Sequence, residues 1–268
     1  MNMGEEQRYP LISIVTVCYN AGIALKKTVE SVCSQTFSDW ELIIKDGNSI
    51  DGSVDYIKGL DSRIKIIVED DSGIYNAMNR GIKEVKGKFV LFLNAGDLLA
   101  DENVLKDIVT FCKSQVADVY YGNYVNSQKE QCIAPKKITR FFLFSSFLCH
   151  QTVIYAIGSL NKYDENLKIL ADHELHISML LDGKKFKAMP IFVCKYEGGG
   201  ISEKSEYKEI YNIELKKIRE KHFSRIERVG YNLRYYLTVP RIRAFMYGPK
   251  SPTWIRKIYR RIVTIIRS

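Results

Sequence analysis

The sequence predicts an α/β fold, in which helices flank a doubly wound, mainly parallel sheet and a helical, basic extension follows at the C-terminal end. Residues 89–93 (FVLFL) form an apolar run without a polar break, as expected of a strand buried on both faces of a parallel sheet. Two further apolar runs, residues 11–17 and 41–45, enclose a segment with apolar residues at helical spacing. Strands and helices that alternate in this way favour parallel strands joined by crossover helices.

The other elements are predicted from the same periodicities. Strands are expected at residues 64–68, 117–121, 152–158 and 186–195, and helices at residues 25–33, 54–60, 74–85, 104–109 and 171–182. Residues 122–148 are expected to be irregular. Asp71 or Ser72, and Asp101, are the expected N-caps of the helices that follow them.

Length and composition are those of a globular protein. The 268 residues are 46% hydrophobic and 26% charged, and no run of about eighteen apolar residues is present to span a membrane. The first ten residues contain no apolar signal segment, so the expected location is the cytoplasm. None of the six cysteines lies in a Cys-x-x-Cys pair, so reduced thiols are expected instead of a structural zinc site.

The first loop excludes one class of doubly wound protein. A dinucleotide-binding dehydrogenase would carry Gly-x-Gly-x-x-Gly after its first strand, whereas this loop has a single glycine, Gly22. The strand at residues 89–93 ends in Asn-Ala-Gly-Asp. Because ligands bind outside the carboxyl ends of strands in open α/β sheets, Asp97 is expected at a ligand or metal site, or else at the start of the next helix.

Four stretches, taken in this order and spacing, resemble a known family. They are SIVTVCYNAG (13–22), KDGNSIDGS (45–53), EDDSGIYNAMNRGI (69–82) with GKFVLFLNAGDLL (87–99), and LADHEL (170–175). Together they are similar to the family-two glycosyltransferases of the GT-A fold, the inverting group that builds bacterial surface polysaccharides. The resemblance covers roughly residues 10–200.

The resemblance implies a mixed, mainly parallel GT-A sheet and a division into two parts. Residues 1–202 would form the glycosyltransferase domain, with a nucleotide-sugar half at about 10–122 and an acceptor half at about 123–202. Residues 203–268 would be the helical extension. The substrates would be a nucleotide-diphosphate sugar, with a preference for a UDP-sugar, and a glycan or lipid-linked acceptor.

The resemblance also implies roles for individual residues. Nucleotide-sugar binding is expected of Tyr19, Asn20, Asp46, Asp71, Asn79 and Asn94, metal binding of Asp97, general-base catalysis of Asp172, and acceptor-side or lid functions of His150, Gln151, Gly200 and Ser202. Besides Asp97, three of these assignments have structural alternatives. Asp46 is also a turn residue, Asp172 is also a candidate N-cap with Glu174 close by as a second base, and His150 is also a candidate packing residue.

Elementary chemistry is consistent with these roles. Carboxylates repel a diphosphate, so acidic loops at the strand ends require Mn²⁺ or Mg²⁺ between them and the phosphates. An acceptor hydroxyl is a poor nucleophile and requires a base to remove its proton. One base after the nucleotide half is sufficient for a single displacement with inversion.

The chain departs from the family pattern at Gly96. Many members have two adjacent aspartates where this chain has Gly96 and Asp97, and Asn94 is the residue that can compensate. This departure motivates the rival hypothesis of a catalytically inactive binding or scaffold protein that keeps the fold.

The positive charge is concentrated at the C-terminal end. Of the formal net charge of +9, residues 203–268 contribute 17 Lys and Arg against 6 Asp and Glu. At 100° per residue, an apolar face separates from a basic face in residues 254–267, with Trp254 on the apolar side and Arg256, Lys257, Arg260 and Arg261 on the basic side. This pattern predicts a helix on an anionic membrane surface at the inner face of the cytoplasmic membrane, with a dimer or packing helix as the alternative. Nucleic acid is not an expected partner, because the loops of the candidate cleft are acidic.

Overall fold

The computed structural model describes residues 9–198, 200 and 204–246, and for residues 236–246 it describes the backbone only. Ser202 and the tail residues Trp254, Arg256, Lys257, Arg260 and Arg261 lie outside the described residues. Among those described, no helix is both long enough and apolar enough to cross a membrane.

The first half of the chain alternates between strands and helices. Its elements are β1 (Ile12–Cys18), α1 (Ile23–Cys33), β2 (Trp40–Asp46), β3 (Ile64–Val68), α2 (Ile74–Ile82) and β4 (Phe89–Phe92). Each strand predicted in this half of the chain is present, and its ends differ from the predicted ends by one residue at most. The predicted helix at residues 54–60 is wrong, because this segment forms consecutive turns between β2 and β3.

The second half adds short strands and the remaining helices. They are β5 (Leu98–Leu99), α3 (Val104–Ser114), β6 (Val119–Val125), β7 (Gln131–Cys132), α4 (Arg140–Ser145), β8 (Val153–Ala156), α5 (Ala171–Leu181), β9 (Phe186–Lys195), α6 (Lys208–His222) and α7 (Arg225–Met246). The segment predicted to be irregular, residues 122–148, contains the end of β6 together with β7 and α4.

Within the described residues, nine strands form one mixed sheet in the order β3-β2-β1-β4-β8-β6-β9-β5, with β7 paired to β6. The first four strands of this order are parallel, β8 is antiparallel to both of its neighbours, and β9 is parallel to β6. Residues 90–93 are buried, as predicted for this apolar run, and β4 joins the parallel half of the sheet to β8. The mixed, mainly parallel sheet flanked by helices is also confirmed.

The sheet separates two apolar cores. Along β1, Val15 and Val17 face the core formed with α2, α4 and α5, whereas Ile12 and Ile14 face the core formed with α1 and α3. This alternation follows from the two-residue period of a strand. Ile218 of α6 lies in the first core, so α6 packs against the body although it lies beyond the predicted boundary at residue 202.

The predicted N-caps are wrong in detail. Within the described residues, α2 begins after Gly73 and α3 after Asn103, and neither helix has a side-chain cap. Asp71 instead accepts a hydrogen bond from the Gly73 amide at 3.0 Å, and Asp101 accepts one from the Asn103 amide at 2.8 Å. Both aspartates therefore order the turn that precedes the helix.

Buried histidines make the stability of this core depend on pH. Burial lowers the pKa of His173 to about 3, and it also lowers the pKa values of His150 and His176. In the folded protein these rings therefore bind a proton only at a lower pH than in the unfolded chain, where they bind one below about pH 6.5.

We expect the free energy of unfolding to fall between about pH 6.5 and pH 5, since the unfolded chain binds more protons in this range. Each buried histidine contributes up to about 1.4 kcal/mol per pH unit. The measurement is urea unfolding at several pH values. His173→Gln, which keeps a donor and stays neutral, should have a smaller slope than the wild type, and equal slopes would contradict the assignment.

Candidate active site

A cleft of about 600 Å³ opens at the carboxyl end of β4. Its walls come from the loop after β4 (94–97), α2, the segments 147–151 and 168–172, the loop after β9 (196–198 and 200), and Tyr211 of α6. Of the residues predicted for the site, it contains Asn94, Asp97, His150, Gln151, Asp172 and Gly200. The acidic strand-end residue and the candidate base thus share one cavity.

The loop after β4 is a tight turn closed by a 3.0 Å hydrogen bond from the Asp97 amide to the Asn94 carbonyl. Gly96 has a φ of +106°, a conformation that residues with a side chain rarely adopt. Its amide donates to Oγ1 of Thr28 in α1 at 2.9 Å. A Cβ at this position would meet no described atom within 4 Å, so backbone strain rather than crowding favours glycine there.

Asp97 connects three segments of the cleft. Its side chain is buried, and Oδ2 accepts a hydrogen bond from Nε2 of Gln151 at 2.8 Å. Oδ1 accepts from the Glu197 amide at 3.1 Å. The alternative role as a helix cap is excluded, because α3 begins only at Val104.

The donor set around Asp97 is small. In the part of the chain that the structure describes, no group of three His, Cys, Asp or Glu side chains is placed to bind a metal ion. The Asn94 side-chain oxygen, however, is buried without a hydrogen-bond partner among the described residues. An amide oxygen and a carboxylate fit Mg²⁺ or Mn²⁺, which commonly take the rest of their ligands from substrate phosphates and water. The residues present therefore fit a cation shared with a diphosphate.

Asp172 is the second residue of α5. The Tyr75 hydroxyl lies 3.1 Å from its Oδ1 and 2.6 Å from the Ile169 carbonyl oxygen. Burial raises the pKa of Tyr75 well above its usual value, and the negative charge of Asp172 is the second largest cause. The hydroxyl therefore keeps its proton and serves as a donor. Asp172 is not a helix cap, because Leu170 occupies that position.

Glu174, the second candidate base, is directed elsewhere. Its Oε1 accepts from Nζ of Lys221 at 2.6 Å and lies 2.7 Å from Nε2 of His222, both in α6. The hydrogen bond with His222 is the largest of the effects that lower the pKa of Glu174. Glu174 therefore connects α5 to α6, and it is absent from the described cleft lining.

His150 lies against the aromatic wall of the cleft. Its ring centroid is 5.2 Å from that of Phe92 and 5.9 Å from that of Tyr163. Neither ring nitrogen has a hydrogen-bond partner among the described residues, and burial lowers the pKa of the ring. A neutral imidazole here combines packing with an unsatisfied polar edge, so both roles predicted for His150 stay open.

The residues predicted to bind the nucleobase and ribose form a second cluster, at the ends of β1 and β2 and outside the 600 Å³ cleft. Asp46 is buried and accepts from the Ser49 amide at 2.7 Å and the Ser49 hydroxyl at 2.5 Å. The Asn20 amide donates to Oγ of Ser49 at 2.8 Å, which joins the two loops. The turn role of Asp46 is thus present in the structure, and its contact with a nucleotide stays a prediction.

Tyr19 and Asp71 both lie close to Gly47. A Cβ added at Gly47 would lie 2.8 Å from Oδ2 of Asp71 and 3.3 Å from Cδ2 of Tyr19. The Tyr19 side chain is 68% exposed, so its ring is accessible to a ligand. The glycine therefore allows an exposed ring and a carboxylate to approach each other at this edge.

Sequence reasoning missed Lys45, which is fully buried at the end of β2. Its Nζ donates to the carbonyl oxygens of Asp46 at 2.8 Å and Glu69 at 2.5 Å, and it lies 3.4 Å from Oδ2 of Asp71. Lys45 therefore orders the loop that carries Asp71. Its position directly after the buried apolar residues Leu42, Ile43 and Ile44 was the available signal.

Asn79 is engaged in holding another segment. Its Nδ2 donates to the Tyr163 carbonyl oxygen at 2.9 Å and to Oε1 of Glu165 at 2.7 Å, and its Oδ1 accepts from the Tyr163 amide at 2.9 Å. The side chain is buried, and it is absent from the described cleft lining. The structure thus gives Asn79 a structural role, and we do not carry it into the proposed binding site.

Three other cleft residues also escaped the sequence analysis. Lys168 and Glu197 add one charge of each sign, and Tyr211 of α6 adds an aromatic ring. Gly200 lies beside Tyr196, whose hydroxyl would be 3.5 Å from an added Cβ. Helical spacing predicts Tyr211 only as a packing residue, and no motif marked these positions as part of a site, because their place in the cleft depends on how distant segments meet.

The sequence matches the family model described as Glycosyl transferase family 2 over residues 13–165. A PGL/p-HBAD biosynthesis glycosyltransferase of Mycobacterium bovis is 29% identical over 204 residues, covering 72% of this chain and 79% of the relative. The UDP-Glc:alpha-D-GlcNAc-diphosphoundecaprenol beta-1,3-glucosyltransferase WfgD of Escherichia coli is 29% identical over 191 residues, covering 69% and 75%.

Solved structures share the fold. S. aureus TarS in complex with UDP-GlcNAc aligns with a TM-score of 0.65 at 16% identity, covering 90% of this chain and 76% of that one. The mannosyltransferase PcManGT of Pyrobaculum calidifontis, in complex with GDP-Man and Mn²⁺, aligns with a TM-score of 0.57 at 12% identity, covering 97% and 70%. The expected GT-A fold is confirmed. Since the family model spans more than half of the chain, the protein belongs to glycosyl transferase family 2 and is a glycosyltransferase.

Proposed function

We propose that the protein transfers a sugar, with inversion, from a UDP-sugar to a hydroxyl group of a glycan or lipid-linked acceptor. The observation that carries the proposal is the shared cavity: the Asp172 carboxylate and the oxygen pair of Asn94 and Asp97 line the same 600 Å³ cleft. A base and an anchor for the diphosphate are the two groups that such a transfer requires.

Relatives support the choice of donor. WfgD is named for UDP-Glc, and TarS was solved with UDP and UDP-GlcNAc. In this chain, the exposed Tyr19 ring offers a stacking surface for a base. Asp71 beside it offers acceptor oxygens for the base edge or the ribose hydroxyls.

The diphosphate would be held at the loop after β4. A divalent cation bound by Asp97 and Asn94 would neutralise the charge that develops as the diphosphate leaves. The hydrogen bonds from Gln151 and the Glu197 amide fix the orientation of the Asp97 carboxylate before any ligand binds. Preorganisation of this kind lowers the reorganisation required at the moment of reaction.

Asp172 would act as the general base. It would remove the proton of the acceptor hydroxyl as the acceptor oxygen bonds to the anomeric carbon and the bond to the diphosphate oxygen breaks. The Tyr75 hydroxyl would keep the carboxylate directed into the cleft. A single displacement inverts the anomeric carbon, and no covalent intermediate on the protein is required.

Asp172→Asn should lower kcat by roughly 10²- to 10⁴-fold, because the amide cannot accept the proton. The dissociation constant for UDP should stay within about twofold, since the diphosphate lies at Asp97 rather than Asp172. Initial rates with a panel of UDP-sugars, and calorimetry with UDP and Mn²⁺, measure both quantities.

Glu197→Gln serves as the comparison, because Glu197 is the other carboxylate of the cleft without a proposed chemical role. If Glu197→Gln lost turnover while Asp172→Asn kept it, the general base would be Glu197 and not Asp172. An NMR spectrum of the product that shows the donor's anomeric configuration would contradict inversion.

Asp97→Asn should abolish most of the enhancement of UDP binding by Mn²⁺ or Mg²⁺, because it removes the carboxylate that would hold the cation. Calorimetry with and without the metal gives the enhancement directly. Asp107→Asn, on the exposed face of α3, is the matched control and should bind like the wild type.

Wild-type protein that binds UDP equally well with and without metal would contradict the cation site. Wild-type protein that binds no nucleotide at all would favour the rival hypothesis, a catalytically inactive scaffold at the membrane surface. The observation behind that rival is the single carboxylate at residues 96–97.

The acceptor and the location are proposed together. WfgD is named for an acceptor linked to diphosphoundecaprenol, which is a lipid. In this chain, the exposed side chains of Ile226, Val229 and Leu233 on α7 recur at helical spacing and precede the basic tail. A surface with apolar and basic residues fits an anionic membrane, where a lipid-linked acceptor would be found.

Reversing the charges at Arg256, Lys257, Arg260 and Arg261 to Glu should release the protein from vesicles that contain anionic lipid. Each basic residue near such a surface contributes about 1 kcal/mol to binding. Co-sedimentation of wild type and variant measures the effect, with neutral vesicles as the control. Unchanged sedimentation of the variant would exclude the tail as the anchor.

A further inference from the structure

We infer that Glu214, in α6, is a positioning residue for the general base: it holds the backbone immediately before Asp172 in place. The inference rests on the proposed function, since it assigns to Asp172 the role of base. Glu214 itself lies outside the described cleft lining, so the effect would act through the backbone of residues 168–170.

The Glu214 carboxylate accepts three consecutive backbone amides. Oε1 lies 2.6 Å from the amide nitrogen of Lys168, and Oε2 lies 3.1 Å from that of Ile169 and 3.0 Å from that of Leu170. The side chain is 5% exposed. Charge-assisted hydrogen bonds of this kind, sheltered from water, are among the stronger polar contacts in a folded protein.

The three amides belong to the segment that leads directly into the base. Leu170 is the N-cap of α5, and Asp172 follows two residues later. The Tyr75 hydroxyl binds the Ile169 carbonyl oxygen on one side of this segment, while Glu214 binds its amides. The backbone before Asp172 is therefore fixed by two elements, α2 and α6, that are distant in sequence.

A carboxylate is the side chain that this position requires. Two oxygens with several lone pairs can accept three N–H groups, whereas a glutamine has one oxygen and an amino group that would face donors. Within the described residues, α5 has no side-chain cap of its own. Glu214 thus supplies, from another helix, the acceptor that orders the approach to α5.

The same helix also lines the cleft. Tyr211 lies three residues before Glu214, so both side chains are on one face of α6, and Tyr211 reaches the cavity. Helix α6 lies in the region 203–268 that the sequence predicts to be an extension. The inference makes this helix part of the catalytic unit.

Glu214→Gln should lower kcat by roughly 10- to 100-fold, since a shift of about 1 Å in a catalytic group has effects of this size. The KM for the UDP-sugar should stay within about twofold, because the nucleotide contacts lie on other segments. Steady-state kinetics at saturating acceptor separates the two quantities. Because an unfolded fraction would also lower the apparent kcat at unchanged KM, the rate is divided by the folded fraction measured by urea unfolding.

Lys221→Met is the matched control. It removes an ion pair that joins α6 to Glu174 of α5, and leaves the amides of residues 168–170 untouched. Its kcat should equal that of the wild type, and urea unfolding of both variants shows how far each is destabilised. If Glu214→Gln fails to fold, Glu214→Asp keeps both oxygens on a shorter side chain and should show a smaller loss of kcat at unchanged KM.

A double-mutant cycle combines Glu214→Gln with Tyr75→Phe and compares the kcat of the single and double variants. A purely structural role of Glu214 in packing would not couple the two losses of kcat. Because Tyr75 and Glu214 hold the same segment, the loss of kcat in the double variant should be smaller than the product of the single losses. Losses of kcat that multiply in the double variant would overturn the inference. It would also be overturned if Glu214→Gln kept a kcat within about twofold of the wild type while Asp172→Asn was inactive. Full activity of Asp172→Asn would instead refute the proposed base, whatever Glu214→Gln does.

Discussion

The parallel pairing of β1 with β2 and β4 is the constraint on which the rest of the structure depends. Continuous ladders align Ile14 with Leu42 on one side and with Leu91 on the other. Because parallel strands end at the same edge, the loops after all three strands meet there. Buried apolar side chains on both faces hold this register, since a shift of one residue would exchange the two cores. The site is therefore located by the sheet before any functional residue acts.

Buried polar groups then fix the loops and the segment before α5. Lys45 binds backbone carbonyls, Glu214 binds backbone amides, and Asp97 accepts from both a side chain and an amide. A buried charge without partners is unfavourable, so each of these residues restricts its loop to the conformation that supplies them. Residues remote from the cleft can in this way determine its shape. The contacts explain how irregular loops hold the side chains of the candidate site in place without regular secondary structure.

Gly96 shows how backbone geometry and chemistry combine at one position. Its positive φ lets the turn close onto the Asn94 carbonyl, and its amide binds Thr28. The turn directs Asp97 toward Gln151 and leaves the Asn94 oxygen without a partner among the described residues. Gly96 stands where many family members have a second aspartate, and the neutral side-chain oxygen of Asn94 lies in the same loop. In the proposed function, a diphosphate would complete this site, because it would bring its own oxygens to the cation.

The sequence by itself determined the seven longer strands, most helices and the order of the acidic loops, because apolar periodicity and turn residues report local structure directly. It did not predict the two-residue strands β5 and β7. It also indicated Asp97 and Asp172 through motifs that matched a family. Only the tertiary structure decided that 54–60 forms turns and that Asn79 binds the 163–165 segment. It alone brought Tyr211 and Glu214 of α6 to the cleft and to the segment before Asp172. These outcomes depend on contacts between residues far apart in the chain, which local patterns do not encode.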